Sequence, residues 1–153
     1  MRKLILLLCI LIFISTVFVS AQTKNKDDVR VFLNCTAFCD MSYIKTEINY
    51  VDFVPDRFLA NVYIMITSQS TGSGGEEVKL LLDGQENFKG MNDTLQFYRN
   101  SVDTDDEYRQ RLVQYLKLGL TRYLAKTSFA QKIEIKAIVK NKKLDINNTL
   151  LVI

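Results

Sequence analysis

Cys35 and Cys39 are the residues whose chemistry follows most directly from type and spacing. In an oxidising compartment, a lone pair of nearby cysteines forms a disulfide more often than it stays as two thiols. In a helix, a separation of four residues places the α-carbons roughly 6 Å apart, which is within bridging range. A redox-active pair would favour the Cys-x-x-Cys spacing, and a zinc site would need further ligands. We therefore predict a structural disulfide between Cys35 and Cys39.

The chain contains no histidine. The usual general base is therefore missing, which excludes Ser-His and Cys-His nucleophilic catalysis within this chain. Paired carboxylates can carry out acid and base chemistry without histidine, so a small carboxylate hydrolase is an alternative function. The candidates are Asp52 and Asp56 beside Arg57, and an acidic cluster at residues 103–107. Asp56 and Arg57 are more simply explained as an ion pair after a proline turn, and we predict no enzyme.

The acidic cluster matches a calcium site only in part. Asp103, Asp105 and Glu107 have the spacing of the first three ligands of a calcium loop. However, Tyr108 stands where that loop needs glycine, and Gln114 stands where it needs a bidentate glutamate. Acidic residues also suit the positive end of a helix dipole. We predict a helix N-terminus here, and no metal or cofactor.

A glycine-rich segment joins two runs of alternating apolar residues. A phosphate-binding loop ends in Gly-Lys-Ser/Thr and opens a helix, whereas this segment leads into Glu76 and Glu77 on a predicted strand. We therefore predict a hairpin turn, which is also a candidate interaction loop. The loop residues are Gln69, Ser70, Thr71, Gly72, Ser73, Gly74 and Gly75.

Residues 1–21 have the pattern of a signal peptide. Arg2 and Lys3 precede an apolar run that extends to Val19, and Val-Ser-Ala at 19–21 places short side chains at the cleavage site. The alternative is an uncleaved signal anchor, because a run of about 16 apolar residues approaches the roughly 20 that span a bilayer. We expect cleavage before Gln22 and a periplasmic or secreted product. Membrane contact is expected only if the signal is retained or the chain is part of a membrane barrel.

Charge gives no indication of a polyanionic partner. The 20 basic residues include Arg2 and Lys3, so removal of the signal leaves 18 basic residues against 17 acidic ones. The remaining 132 residues suffice for one domain with a core. A nucleic-acid-binding surface would show lysine and arginine clustered on one face, whereas the basic residues at 136–143 are typical of a solvated turn. Nucleic acid is therefore not an expected partner.

Hydrophobic periodicity predicts the elements that position these residues. Residues 29–34 alternate as a first strand, and apolar residues from Ala37 to Val51 recur at steps of three and four, which predicts a helix capped by Asp40. Alternation over residues 60–83 predicts a long β-hairpin. Leu95 and Phe97 fit a further short strand. A second helix is predicted from residue 103 to about residue 126, and alternation at 133–139 predicts a final strand.

This order of elements predicts an α+β fold. We expect a two-layer sandwich in which two helices pack on one face of a mainly antiparallel sheet of about four to five strands. Gly119 should allow the second helix to approach the sheet closely. The domain is expected to span residues 29–140, after a polar lead-in at 22–28. Residues 141–153 are expected to form a C-terminal tail or the start of a truncated segment.

Several short motifs resemble a family of Gram-negative envelope proteins of uncharacterised function. They are Val31-Phe32-Leu33-Asn34-Cys35, Phe38-Cys39-Asp40, Ile44-Lys45-Thr46-Glu47-Ile48, Asp56-Arg57, the segment from Thr67 to Gly75, and Lys117-Leu118-Gly119-Leu120-Thr121-Arg122-Tyr123. In that family an α/β periplasmic domain precedes a predicted outer-membrane β-barrel. The resemblance covers roughly residues 29–127. At the level of fold alone, the architecture is similar to the N-terminal domain of the periplasmic protein TolB and to the curli secretion protein CsgG.

The export signal, the compact fold and the missing catalytic constellation predict a non-enzymatic interaction or envelope-assembly domain in the periplasm. The expected partner is an envelope protein whose strand adds to the exposed edge of the hairpin, with residues 69–75 in contact. Besides the hydrolase, the alternative is the N-terminal fragment of an outer-membrane barrel protein. The chain ends before any barrel and lacks a C-terminal aromatic residue, which favours a stand-alone form or a truncated reading frame.

Overall fold

The computed structural model describes residues 28–72 and 74–134 of the 153-residue chain. In this part, five strands form one sheet with the order β2-β1-β3-β4-β5. The strands are β1 (Arg30–Cys35), β2 (Asp52–Phe53), β3 (Val62–Ser70), β4 (Glu76–Gly84) and β5 (Asn92–Arg99), the helices are α1 (Met41–Glu47) and α2 (Asp105–Leu124), and 3₁₀ turns lie at Arg57–Leu59, Glu86–Phe88 and Ser128–Lys132. The predicted α+β fold is confirmed.

The sheet is mixed, with most of its paired residues in antiparallel ladders. β1 pairs in parallel with β2 over two residue pairs and with β3 over five. β3 and β4 are antiparallel over nine pairs, and β4 and β5 over eight. The hairpin predicted at residues 60–83 is formed by β3 and β4. It lies inside the sheet, because β1 covers one side of it and β5 covers the other.

The core lies between the sheet and the two helices. Alternate residues of the hairpin strands face the helices and are almost fully buried: Val62, Ile64, Ile66, Val78, Leu80 and Leu82. A Cβ atom at Gly119 of α2 would lie 2.7 Å from Cδ2 of Leu82. The expected close approach of α2 to the sheet is therefore present. Lys117 of α2 also pairs with Glu47 of α1, at 3.0 Å, which ties the two helices together.

Helix α1 is shorter than the apolar spacing predicts. The side chain of Asp40 accepts a hydrogen bond from the Tyr43 N–H, so the predicted cap is confirmed and the helix begins at Met41. At the other end, the N–H of Asp52 bonds to the carbonyl of Val29, just before β1, at 2.9 Å, and the N–H of Val54 bonds to the carbonyl of Val31 in β1 at 3.0 Å. Residues 52–53 therefore form an edge strand, which ends the helical pattern before Val51.

The second half of the described chain differs from expectation in length and pairing. β5 extends over eight residues, because its whole length finds backbone partners on β4. Helix α2 begins at Asp105 with Thr104 as its cap, and Thr104 forms a reciprocal capping box with Glu107. The strand expected at 133–139 falls almost entirely outside the described residues. No helix in the described ranges has the length and apolarity needed to cross a membrane.

Candidate functional site

Three features singled out from the sequence meet at one end of the sheet. β1, β3 and β5 end there and β4 begins there, so Cys35 is in register with Ile66, and Glu76 with Arg99. We call this end the distal end. It brings together the Cys35 region, the hairpin tip at residues 69–75 and the acidic cluster at 103–107. The carboxylates near Pro55 lie at the opposite end.

A disulfide joins Cys35 to Cys39, with the α-carbons 6.4 Å apart. Cys35 is the last residue of β1, and Cys39 directly precedes the cap of α1. Between them, the N–H of Thr36 bonds to the carbonyl of Ile66 at 3.0 Å, which fixes the loop against β3. The predicted disulfide is confirmed, and it closes a rigid turn from the sheet into the first helix.

Two exposed apolar side chains mark the surface of the distal end. Phe38, inside the disulfide loop, is 58% exposed, and its ring centroid lies 6.3 Å from that of Tyr108 on α2. Val102, in the turn between β5 and α2, is 85% exposed. The sequence analysis named Phe38 only within a motif and did not identify it as a contact residue. The available signal was an aromatic residue inside a five-residue disulfide loop, which is too short to bury a ring of that size.

The hairpin tip is a closed turn held by Thr71. Its N–H donates to the carbonyl of Gly75 at 2.8 Å, and its hydroxyl accepts from the Gly75 N–H at 3.2 Å. Gly74 has a φ of +84°, a conformation that favours glycine. A Cβ atom at Gly75 would lie 2.5 Å from the carbonyl oxygen of Arg99, so glycine also lets the tip pack against β5. Ser73 lies outside the described residues.

The last residues of β3 keep a free edge. β3 has nine residues and β1 has six, so the β1 ladder ends at Ile66. The carbonyl of Ile66 points towards β1, where it accepts a hydrogen bond from the Thr36 N–H. Because successive residues of a strand direct their backbone groups to opposite sides, those of Ser68 and Ser70 point the same way as those of Ile66, beyond the end of β1. The expectation of a free hairpin edge therefore holds for this short overhang, whereas β4 is covered on both sides.

Every carboxylate of the acidic cluster takes part in a cap or an ion pair. Arg111 contacts Asp103 at 2.7 Å, and Arg99 contacts Asp105 at 2.6 Å. Hydrogen bonds from the Asn100 backbone and then from Arg111 lower the pKa of Asp103. Arg109 pairs with Asp106 at 2.7 Å and with Asp40 at 3.8 Å. Glu107 completes the capping box with Thr104.

Tyr108 lies beneath this surface with its hydroxyl buried. It is 1% exposed, and its hydroxyl oxygen has no hydrogen-bond partner among the described residues. Burial raises the pKa of Tyr108, and the carboxylate of Glu76 raises it further, whereas the nearby Arg99 acts in the opposite direction. The Arg99 guanidinium lies 4.8 Å from the centroid of the Tyr108 ring. Tyr108 therefore supports the distal end mainly through its ring.

The other carboxylates named from the sequence lie near the first residue of β1. Asp52 is in register with Arg30, and the side chain of Asp56 accepts from the Phe58 N–H at 2.9 Å, which caps a 3₁₀ turn. The guanidinium of Arg57 lies 4.9 Å from the ring centroid of Tyr63, an aromatic partner rather than the expected Asp56. The structure thus separates these side chains from the acidic cluster. Nowhere in residues 28–72 and 74–134 do three or more Asp, Glu, Cys or His side chains gather as metal ligands.

A groove of about 400 Å³ lies between α1 and the adjacent edge of the sheet. Its lining is apolar apart from one lysine: Phe32, Leu33, Met41, Lys45, Phe53, Val54 and Pro55. The groove exists because β2 has only two residues and leaves the rest of β1 uncovered on that side. Leu33 and Met41 each lie two residues from a cysteine of the disulfide, so the groove continues the apolar surface of the distal end along α1.

Comparisons with known proteins do not assign this site. No protein-family model matches the chain, and no curated protein gives a significant match. The interpretation of the distal end therefore depends on its geometry.

Proposed function

We propose that this chain is an exported, non-enzymatic interaction domain of the cell envelope that binds a protein partner through the distal end. The observation that carries the proposal is the exposed ring of Phe38, held on a disulfide-closed loop at the end of the sheet. A rigid, exposed aromatic ring loses little conformational entropy on binding, and such residues often dominate the energy of an interface. A charged or polar side chain would be expected there if the loop served only to connect β1 with α1.

The neighbouring features supply further contacts for a polypeptide. The free edge at Ser68 and Ser70 offers backbone donors and acceptors to an added strand, and these residues follow Ile66 on the same ladder as the disulfide loop. The groove beside α1 can accept an apolar segment of the partner. These contacts differ in kind, and together they fit a protein partner better than a small molecule.

The non-enzymatic part of the proposal is supported by the carboxylates. In the acidic cluster they form caps and ion pairs, and Asp56 caps a 3₁₀ turn. The export part is supported by the signal-like residues 1–21 and by the disulfide, which persists in oxidising compartments.

Partner capture in the native host tests the proposed surface. A photoreactive side chain at position 38 should crosslink to a specific envelope protein, and Phe38→Ala should reduce capture by about 30-fold, as expected for an aromatic anchor. Phe58 is a matched control, because it is 87% exposed but lies at the opposite end of the sheet. Equal loss with Phe58→Ala, or full capture after Phe38→Ala, would contradict the proposal.

Fractionation with intact-mass measurement tests export separately. The expected product is a periplasmic species that begins at Gln22 and is about two mass units lighter than the dithiol, because the bridge removes two hydrogens. An uncleaved, membrane-bound species would instead make residues 4–19 an anchor, and the domain would then act at the inner membrane.

A further inference from the structure

The outer edge of β5 has an uneven pattern of free backbone groups. β5 is the last strand of the sheet, and its odd-numbered residues face β4, since the N–H of Gly84 bonds to the carbonyl of Met91 at 3.1 Å. In an antiparallel ladder the alternate residues point away, so the N–H and C=O groups of Thr94, Gln96 and Tyr98 face outwards. This edge lies on the opposite side of the sheet from Phe38 and the β3 overhang, and it meets the distal end only at its last residues.

Side chains occupy some of these outward groups. The side chain of Asp93 accepts from the Thr94 N–H at 2.8 Å, and Arg111 donates to the Tyr98 carbonyl at 2.7 Å. The Thr94 carbonyl, both backbone groups of Gln96 and the Tyr98 N–H have no such partner within the described part of the chain. Between residues 94 and 98 the edge therefore offers two donors and two acceptors, and the centre of this pattern is Gln96. Asn92 faces outwards as well, and its carbonyl accepts from Arg122 at 3.4 Å.

We propose that the β5 edge pairs with the β5 edge of a second copy of this chain, in antiparallel register about a two-fold axis at Gln96. In this register the two Gln96 residues exchange two hydrogen bonds, and each free Tyr98 N–H donates to the free Thr94 carbonyl of the other copy. The occupied N–H of Thr94 then faces the occupied carbonyl of Tyr98. If the axis lay at Leu95 instead, Gln96 would face Thr94 of the other copy. The free Gln96 carbonyl would then meet the occupied Thr94 N–H. An ordinary peptide would also present open groups to the occupied positions.

Helix α2 supplies a matching surface beside this edge. Arg111, Tyr115, Leu118 and Arg122 form one stripe on α2, at steps of four, three and four residues. The stripe follows β5, because Arg111 contacts the Tyr98 carbonyl and Arg122 contacts Asp93 at 2.8 Å. Leu118 is 60% exposed on this stripe, so its side chain is available to a partner.

The spacing of the layers lets the two copies of α2 meet. A Cβ atom at Gly119 would contact both Leu82 of β4 and Leu95 of β5, so α2 lies above the boundary between these strands. With strands about 4.8 Å apart, the two-fold axis then places the copies of α2 about 10 Å apart, which is a normal packing distance for helices. Tyr115 and Leu118 would lie in the contact between the helices.

Charge at the interface is balanced on each copy. Arg111 pairs with Asp103 at 2.7 Å, and Arg122 pairs with Asp93 at 2.8 Å. The two-fold axis brings the Arg122 end of one stripe towards the Arg111 end of the other, so neutral pairs approach each other and repulsion is small. The last 3₁₀ turn of the described residues lies near the other edge of the sheet, where Phe129 stacks on Tyr50, with ring centroids 5.8 Å apart. A strand edge with one helix stripe is a small interface, so we expect a weak, reversible dimer.

Single cysteine substitutions test the register in the purified protein. Gln96→Cys should form an intermolecular disulfide under mild oxidation, because directly opposed residues of this type have α-carbons about 5.5 Å apart. Thr94→Cys is the matched control: it is exposed on the same face of β5, but its symmetry mate would lie about 13 Å away. Selective crosslinking of Gln96→Cys would support the two-fold register. Equal crosslinking of both variants, crosslinking of neither, or crosslinking of Gln96→Cys only to a different protein would overturn it.

Sedimentation equilibrium tests the helix contact without a new cysteine. Leu118→Glu should weaken dimerisation by about tenfold or more, since a charge would be buried on each side of the axis. Leu59→Glu is the control, because Leu59 is 51% exposed at the opposite side of the sheet and should leave the dimer unchanged. Equal dissociation constants for the two variants, or a monomer at all concentrations for the unmodified chain, would overturn the proposal. Neither outcome would affect partner capture at Phe38, so the two proposals fail separately.

Discussion

Gly119 offers a quantitative test of how closely α2 packs on the sheet. Gly119→Ala has two opposing effects on the free energy of unfolding. Alanine is favoured over glycine inside a helix by about 1 kcal/mol. However, the added Cβ atom would lie 2.7 Å from Cδ2 of Leu82 and 3.2 Å from Cδ1 of both Leu82 and Leu95. Leu82 is buried and has little room to move, so overpacking should cost about 1–3 kcal/mol. We expect a net destabilisation of about 1 kcal/mol.

A double-mutant cycle identifies the cause of this loss. Leu82→Val removes both Cδ atoms of Leu82, including the one nearest to the new methyl group, at a cost of about 1 kcal/mol when made alone. In the Gly119→Ala background the same change should cost less or nothing, so the two substitutions should couple by about 1–2 kcal/mol. Gln114 is exposed on the same helix, and the difference between Gln114→Gly and Gln114→Ala measures the helix-propensity contribution by itself.

Urea unfolding followed by circular dichroism gives all four free energies of the cycle. A destabilisation of 1 kcal/mol should also lower the midpoint of thermal unfolding by about 3–6 °C for a domain of this size. If Gly119→Ala stabilised the protein by the amount measured at Gln114, the added methyl group would meet no obstacle. Additive effects at positions 119 and 82 would show that the clash lies elsewhere. Either result would refute the packing of α2 described above.

Three further perturbations test the distal end. Replacing both Cys35 and Cys39 with alanine should lower the free energy of unfolding, measured in urea, by about 2 kcal/mol, which is the chain-entropy value for so short a loop. The variant should still fold. A loss above about 4 kcal/mol would show that the bridge also holds the core. Tyr108→Phe should raise the free energy of unfolding by about 1 kcal/mol, because it removes a buried hydroxyl that has no hydrogen-bond partner in the described chain. A clear destabilisation in the same assay would contradict this. Because the pKa of Asp103 is lowered from 3.8, its carboxylate stabilises the fold above about pH 4, and this contribution is lost as the pH falls through the lowered pKa. Asp103→Asn should therefore reduce the free energy of unfolding at pH 7 and make it depend less on pH in the acid range. If the free energy of unfolding fell with acid as steeply in the variant as in the unmodified chain, this role would be excluded.

The elements that the sequence predicts well are those with a strong local signal. The hairpin and α2 combine long apolar periodicity with turn and capping residues, and both are present close to the expected ranges. β2 has two residues and therefore no detectable period, and β5 alternates polar residues on an open face with few apolar ones. Both strands exist because a neighbouring strand offers backbone partners, and this information is not local in the sequence.

The candidate site shows the same division. The disulfide was predictable, since it joins residues four positions apart. The meeting of the disulfide, the hairpin tip and the acidic cluster depends on pairings such as Cys35 with Ile66 and Glu76 with Arg99, and strand order sets these pairings. The hairpin was expected to carry a free edge, but β1 and β5 cover most of it. Strand order is fixed by the packing of the whole domain, so a single strand pattern could not reveal this.

Unequal strand lengths determine where this sheet can bind another chain. β3 extends beyond β1 at the distal end, which exposes Ser68 and Ser70, whereas β5 is an edge along its whole length. The two edges face opposite sides of the sheet, and β4 lies between the two strands that carry them. An added strand at one edge therefore has no steric reason to exclude a strand at the other. Phe38→Ala should leave crosslinking of Gln96→Cys unchanged, and Leu118→Glu should leave partner capture at Phe38 unchanged. Loss of both activities in either variant would instead mean that the partner binds only the paired form of this chain.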